Sequence, residues 1–391
     1  MNQAWPETTR LSAVAACLPR RCALRRRQGS SGHAWKSSGK LTPRVRLLAA
    51  VRLKAYATSA MAIQGASSIG LGTYLGDADE RTDLLIGEAC RRTLASGCNV
   101  IDTAINYRCQ RSERVIGATV ARLLHDQALS RDQVILCTKG GYLPFDGNVP
   151  RDPGRYLIDT FINPGLAPTE ELVGGCHCLA PPYLDHALKT SVRNLHVETI
   201  DLYYLHNPEQ QLDEVDRPTF LQRMEAAFAF LESRVAGGTI RYYGTATWNG
   251  YRCAPTAASY LSLQSLVQLA ERVGGAAHHF RAIQLPYNLA MPEAFSFPNQ
   301  TVDGHAMTVL DAAKHLGLSV MCSASLLQGR LANLPSTNAQ RAVQFVRSTP
   351  GVTTALIGMK QPAHLDEILA LAGQPLLSAE DIQQLFTRRT R

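Results

Sequence analysis

Residues 200–245, IDLYYLHNPEQQLDEVDRPTFLQRMEAAFAFLESRVAGGTIRYYGT, set two short apolar runs on either side of a long segment of different periodicity. Ile200–Leu205 and Ile240–Thr245 are rich in aromatic and β-branched residues and have the length of strands. Between them Leu221, Met224, Phe228, Leu231 and Val235 recur at steps of 3, 4, 3 and 4. That spacing lays one apolar stripe along a helix, which Gly237 and Gly238 stop. Strand, helix, strand in this order is the unit of a parallel α/β sheet.

The same alternation runs from Ser68 to the C-terminus. Besides those two, candidate strands lie at Ile69–Thr73, Asn99–Thr103, Val134–Thr138, Ala282–Pro286, Ser319–Ser323 and Thr354–Gly358. A second helical stripe, Leu184, Leu188, Val192 and Leu195, occupies Pro182–Leu195, and Ser378-x-x-Asp381 opens a last helix as a capping box. Eight such units in about 300 residues fit a (β/α)8 TIM barrel, which typically needs about 250. No linker rich in Pro, Gly or Ser divides the body, so residues 61–391 are expected to form one domain. The main irregularity is the 140–181 segment between the third strand and its helix, with Pro144, Pro150, Pro153, Pro164 and Pro168. A connection that long is usually functional or disordered, and it is expected over the C-terminal mouth where barrel active sites lie.

With 391 residues, 45% of them hydrophobic, the chain can bury a large core. Its net charge of +8 is unevenly spread: residues 1–60 hold twelve Lys or Arg against Glu7 alone, which leaves the body at −3. The body therefore offers no basic surface for nucleic acid. An N-terminal stretch rich in Arg, Ala, Ser and Leu, poor in acids and lacking an apolar run reads as an organellar transit peptide, with cleavage expected at Lys54–Met61. The expected location is an organelle, chloroplast or mitochondrion, or the cytoplasm if those residues do not work as a signal. No window of 18 apolar residues exists to span a bilayer. Ten singly spaced cysteines, several inside apolar runs, read as reduced thiols. Cys176-His177-Cys178 is metal-like, but supplies at most three ligands with no second pair at zinc spacing, so no metal is expected.

Ionisable residues close successive apolar runs: Asp102 after Val100-Ile101, Lys139 after Ile135-Leu136-Cys137, and His206 after Tyr203-Tyr204-Leu205. In a barrel all three converge at one mouth. Tyr107 follows Asp102 by five residues, close enough to bring its hydroxyl back over the strand end. The four groups suit carbonyl reduction, in which a carbonyl accepting hydride needs a proton. A phenol of pKa about 10 is a poor acid until a nearby ammonium acts on it. Lys139 is expected to lower the Tyr107 pKa, Asp102 to hold Lys139, and His206 to orient the carbonyl oxygen or share the proton. A rival reading takes Gly70-Leu-Gly72-Thr-Tyr-Leu-Gly76 as a dinucleotide fingerprint with Asp102 as ribose acid. That spacing has one residue too many, and Asp77, Asp79 and Glu80 would put anionic charge where a pyrophosphate must sit.

Asp102-Thr-Ala-Ile-Asn-Tyr107, Ser112-Glu113-Arg-Val-Ile-Gly117, Thr138-Lys139, Leu205-His206-Asn-Pro208 and Gln284 with Tyr287-Asn288 occur in the order of the aldo-keto reductase superfamily, which the chain resembles from about Ser68 to Phe386. The resemblance implies a (β/α)8 barrel and NADP(H), with NAD(H) possible, extended across the mouth. It implies Asp102, Tyr107, Lys139 and His206 as catalytic residues. Carried over by position, Gly72, Thr73, Thr247, Gln284, Ala324, Leu326, Lys360, His364 and Glu367 contact the cofactor, Gln284 at the nicotinamide carboxamide. The chain departs from the family pattern at Ala246-Thr247-Trp248, where Ser-Asn precedes an aromatic, and Trp248 is expected to wall the substrate pocket. It departs again at Ser323-Ala324-Ser325-Leu326, which lacks the usual aromatic, and at His364, often Arg. The expectation is an NADPH-preferring, monomeric reductase of an aldehyde, ketone or sugar-like carbonyl. The alternatives are an NAD-dependent sugar or polyol dehydrogenase, and a nucleotide-binding regulatory barrel without significant turnover.

Overall fold

The computed structural model describes residues 63–334 and 337–387. The expected transit segment, residues 1–60, lies outside the described residues. Eight parallel strands close a barrel: β1 Ile69–Gly72, β2 Val100–Asp102, β3 Ile135–Gly140, β4 Ile200–His206, β5 Ile240–Ala246, β6 Phe280–Pro286, β7 Ser319–Ser323 and β8 Thr354–Ile357. The strands follow one another around the ring, and β8 closes on β1 through Ile69 level with Ala355. This is the (β/α)8 barrel. Two of the strands run further than their apolar residues: β3 reaches Gly140 and β4 reaches His206, so Lys139 and His206 belong to the ladder. Beyond each strand lies a helix: α1 Glu80–Ala95, α2 Arg111–His125, α3 Pro181–Leu195, α4 Arg217–Ala236, α5 Leu263–Gly274, α6 Val309–His315, α7 Ala339–Ser348 and α8 Pro362–Leu369, with α9 Ala379–Thr387 added at the end.

The helices form where the stripes place them. Along α4, Met224, Phe228 and Leu231 are buried, while the Asp216 carboxylate accepts from the Thr219 N–H at 2.9 Å and caps the first turn. Each such side chain contributes about 1.5–3 kcal/mol on burial. At α9 the Asp381 N–H donates to Ser378 Oγ at 3.1 Å and the Ser378 N–H to Asp381 Oδ2 at 3.3 Å, the expected capping box. Side chains alternate between two clusters. Val100, Cys137, Leu202, Tyr204, Ala282, Met321 and Leu356 fill the barrel interior, and their neighbours along the strands pack under the helices. Ile63 and Ala66 close the N-terminal end of that interior.

Segment 140–181 is folded onto the barrel, with a helical turn at Pro153–Leu157, a π turn at Ile158–Ile162 and a 3-10 turn at Thr169–Glu171. Phe145, Leu157, Phe161 and Leu179 anchor it in the core. An antiparallel hairpin, Gln300–Val302 with His305–Met307, stands between β6 and α6 and carried no signal in the apolar spacing. The fingerprint reading of Gly70 to Gly76 fails. Gly70 and Gly72 lie in β1 of a closed barrel, and the N-terminus of α1 is occupied by the Asp79 carboxylate, which accepts from the Thr82 N–H at 2.7 Å.

Candidate active site

Strand register assembles the site. Asp102 is level with Cys137, so Lys139, two residues on and facing the same way, stands one step above it, while Lys139 in turn is level with Tyr204. Lys139 Nζ donates to Asp102 Oδ2 at 2.6 Å and to the Thr103 carbonyl at 2.8 Å. Both side chains are withdrawn from water, Lys139 to 1% exposure and Asp102 to 4%. A charge buried so deeply persists only with partners, and this pair supplies them. Gln284 Nε2 donates to the other Asp102 oxygen at 2.8 Å, so the Gln284 amide nitrogen is turned into the barrel against the Asp102 carboxylate.

Above the ion pair lies Tyr107, its ring centroid 4.8 Å from Lys139 Nζ and 5.7 Å from the His206 ring. The expected effect of Lys139 on the phenol is not what this arrangement produces. Burial, then the charge of Asp102 and the neighbouring Tyr74, hold the Tyr107 hydroxyl well above its ordinary pKa. Desolvation is the largest of these effects, and the Lys139 charge does not offset it. Tyr107 therefore keeps its proton at neutral pH. His206 is displaced in the opposite sense. Burial, then the charge of Lys139 and the neighbouring His177 imidazole, pushes its imidazole well below the usual range, so it is neutral.

These groups open into a cleft of about 760 Å³ at the C-terminal mouth, a size common for small-molecule sites. Gly72, Thr73, Asp102, Tyr107, His206, Thr247, Trp248, Gln284, Ala324, Leu326, Lys360 and His364 line it, as the sequence placed them. Lys139 sits beneath that lining, and Glu367 does not reach it: one helical turn beyond His364 on α8, it stands away from the cleft. Five buried polar atoms of cleft-lining residues, Asn106 Oδ1, Arg108 Nη1, His206 Nδ1, Glu209 Oε2 and Thr247 Oγ1, have no hydrogen-bond partner among the described residues. The half-buried Lys360 reaches across from the end of β8 to the β1–α1 loop, where a β-carbon on Gly76 would stand 3.1 Å from its ammonium.

Residues 68–334 match the Aldo/keto reductase family. The chain belongs to this family. Its barrel is similar to that of an aldo/keto reductase from Klebsiella pneumoniae in complex with NADP and acetate, at 21% identity and TM-score 0.54, over 83% of this chain and 92% of that one. A holo-form aldo-keto reductase from Bacillus halodurans gives 19% identity and TM-score 0.54, over 82% and 92%. In sequence the chain is 30% identical over 179 residues to an uncharacterized oxidoreductase, YqkF, of Bacillus subtilis (strain 168), a stretch of 46% of this chain and 44% of that relative. The chain thus spans less than half the length of that curated relative.

Within this aldo/keto reductase the family-like Ser112-Glu113 to Gly117 run explains itself structurally. Ser112 Oγ donates to the Thr73 carbonyl at 3.0 Å, and Glu113, fully buried, accepts from Thr138 Oγ1 at 2.6 Å and Asn194 Nδ2 at 2.9 Å. A side chain at Gly117 would collide with the Asn194 carbonyl, 2.2 Å from where its Cβ would lie. Other residues carried no usable signal. Tyr142 is the one cleft-lining residue from the 140–181 segment, its ring 5.0 Å from that of His206. Glu209 Oε1 accepts from the backbone N–H groups of Trp248, Asn249 and Gly250 at 2.7, 3.0 and 3.3 Å, fixing the wall after β5. Only its position three residues after His206 hinted at it. Arg108, entirely buried, donates to Asp83 Oδ1 at 2.6 Å and to the Asp77 carbonyl at 2.8 Å, tying the residue after Tyr107 to α1 and its loop.

The metal-like cluster resolves differently. Cys176 and Cys178 are buried thiols and His177 is spent on protein hydrogen bonds. No group of three His, Cys, Asp or Glu among the described residues can hold a metal ion. No helix among them is long and apolar enough to cross a membrane.

Proposed function

We propose that the protein is an NADPH-dependent reductase of aldehydes, ketones or sugar-like carbonyls, acting on the CH–OH/C=O couple with Tyr107 as proton donor. The observation that carries this reading is the buried Asp102–Lys139 ion pair directly beneath a protonated Tyr107, with a neutral His206 beside it, all at the mouth of one cleft. Residues along the cleft fit a nicotinamide dinucleotide. The unpartnered Thr247 Oγ1 can take the carboxamide in place of the family's Asn, and Lys360 with His364 can meet a 2′-phosphate at the far end. Ala324 and Leu326 would line its path. Once bound, the reduced nicotinamide supplies the hydride.

Everything else belongs to the protein. Tyr107 Oη and His206 hold the carbonyl oxygen by hydrogen bonds, and as negative charge builds on that oxygen the Tyr107 proton moves to it. The phenolate left behind lies close to the Lys139 ammonium, so Lys139 stabilises the product of proton transfer more than the resting phenol. Asp102 pairs with that ammonium and fixes its position. Trp248, Tyr142 and Asn249 form the substrate walls and exclude water. Incubating the full chain with NADPH and a panel of carbonyls tests the reading: cofactor oxidation that requires both a carbonyl and Tyr107 supports it. Cofactor binding without NADPH oxidation by any carbonyl, and without NADP⁺ reduction by any alcohol, would instead favour the regulatory barrel. Residues 1–60 we propose as an organellar targeting segment, and a fluorescent fusion of those residues that stays in the cytosol would refute it.

A further inference from the structure

Cys176-His177-Cys178 lies against the back of the catalytic histidine. The Leu143 N–H donates to the Cys176 carbonyl and the Cys178 N–H to the Gly141 carbonyl, both at 2.8 Å, so the segment is fastened like a short strand beside the residues that leave β3. Between these two bonds His177 turns inward, completely buried, and places Nε2 2.7 Å from the backbone carbonyl of His206. Gly141 is pinched between them at φ +148°, where a Cβ would stand 2.9 Å from the His206 carbonyl oxygen and 3.0 Å from His177 Nε2.

The direction of each hydrogen bond follows from chemistry. A carbonyl only accepts, so His177 Nε2 carries the hydrogen. Behind it, Gln211 Nε2 donates to His177 Nδ1 at 2.8 Å. That amide can face only one way, because its Oε1 accepts from Arg223 Nη1 at 2.5 Å and a guanidinium only donates. Arg223 is itself held by Glu171 at 3.0 Å. A one-way relay of donors therefore runs from Arg223 through Gln211 and His177 to the peptide of His206. It holds His177 in a single neutral tautomer, and burial with the Arg223 charge pushes the His177 pKa down to about 4. The relay ends where precision is needed, because β4 stops at His206 and Asn207 leaves it at φ +47°. The His177 and His206 rings also flank Tyr142 edge-on, at 4.9 and 5.0 Å between centroids.

We propose that His177 is a positioning residue: through the His206 carbonyl and the shared Tyr142 ring it sets the direction in which the His206 imidazole enters the cleft. This rests on the reductase reading of the same site. Misplacement of a reacting group by about 1 Å costs about 10²-fold in rate, and the relay restrains displacements of that order.

In the full-length chain, His177→Ala is expected to lower kcat at least tenfold while the NADPH dissociation constant stays within about twofold, since His177 meets His206, Gln211 and Tyr142, none of them a residue placed along the cofactor. His177→Gln, whose amide N–H can reach the same carbonyl, should restore kcat to within about threefold of the unmodified chain, and Gln211→Leu should fall between the two. Unchanged kcat in His177→Ala, no advantage of Gln over Ala, or loss of kcat and NADPH affinity together would each overturn the proposal. If His177→Ala does not fold, the histidine side-chain nitrogen NMR spectrum decides. Gln211→Leu should shift the His177 and His206 resonances together, and an unmoved His206 would overturn the positioning role. Should the unmodified chain turn over no carbonyl, the reductase reading fails, and the same spectrum still decides whether His177 sets His206.

Discussion

The two ends of the cleft are built on opposite plans. At the β2–β4 side Asp102, Lys139 and Arg108 are each held by at least two protein groups. At the β7–β8 side Ala324, Leu327 and Gln328 adopt φ of 53, 47 and 56°, followed by Gly329 at 86°. Non-glycine residues enter that region at a cost of about 1–2 kcal/mol each. The first end fixes charges in a dry place, because proton transfer needs donors that are already oriented when charge develops. Left-handed backbone occurs at both ends, at Arg108 to Gln110 and Asn207 in the first and at Ala324 and Leu327 to Gly329 in the second, but the second offers chiefly shape, which suits a long ligand recognised mainly by its outline and its terminal phosphate.

If that contrast is right, damage at the first end should be large and partly structural. Lys139→Met leaves Asp102 buried with only the Gln284 amide, and breaking a buried pair by removing one partner costs about 3–5 kcal/mol. Thermal unfolding should shift down accordingly, and kcat should fall at least as far as for loss of the acid itself. A Lys139→Met protein with normal melting would show that the ion pair contributes no stability. Tyr107→Phe separates chemistry from stability: kcat should drop by about 10² or more, the usual range for a general acid, with melting and NADPH affinity little changed. Near-normal turnover would remove Tyr107 from the mechanism and with it the main difference between the two ends.

Acid should expose the same asymmetry. His177 binds its proton only near pH 4 when folded, against about 6.5 when unfolded, so the unfolded chain takes up more protons in that window. Its contribution is fully present above pH 6.5 and is lost as pH falls towards 4. The shift is equivalent to about 3 kcal/mol, and the lowered pKa of His206 acts in the same direction. Melting temperature should therefore decline between about pH 6.5 and 4, and His177→Gln should flatten part of that decline. A slope unchanged in the variant would show that His177 is protonated in the fold.

How much of this the sequence disclosed follows the same division. Asp102, Lys139 and His206 were legible because a charged residue closing an apolar run breaks the strand pattern, and the eight runs order themselves into a ring once each is followed by a helical stripe. Tyr107 was legible only through its distance from Asp102. The supporting groups were not, because their contacts join residues with no periodic relation: Glu209 reaches the backbone of Trp248 to Gly250, and His177 reaches His206 across a strand edge. Cys176-His177-Cys178 looked metal-like because spacing shows which side chains are near one another, but not that Gln211 and a carbonyl already satisfy the histidine. Sequence likewise placed Asp102 against Lys139 and Lys139 beside Tyr107, without showing that burial would outweigh the ammonium at the phenol.

The smallest effect is expected at the far end, where a single contact is one of several along an extended ligand. Lys360 stands just beyond β8, bridging towards Gly76, and His364 lies one helical turn further along the same wall. A 2′-phosphate carries nearly two negative charges and gains from an ammonium, whereas a bare 2′-hydroxyl does not. Because Lys360 is only half-buried, solvent screens part of that attraction. Lys360→Ala should therefore raise the KM for NADPH about tenfold, equivalent to about 1.4 kcal/mol, while the KM for NADH and kcat with either cofactor barely move. Added salt should weaken NADPH binding in the unmodified chain more than in Lys360→Ala. Equal kcat/KM for NADH and NADPH before any substitution would mean that this end of the cleft does not read the phosphate. The comparison would then have to be redrawn with shape alone, set in part by the left-handed residues Ala324 and Leu327 to Gly329, selecting the nucleotide.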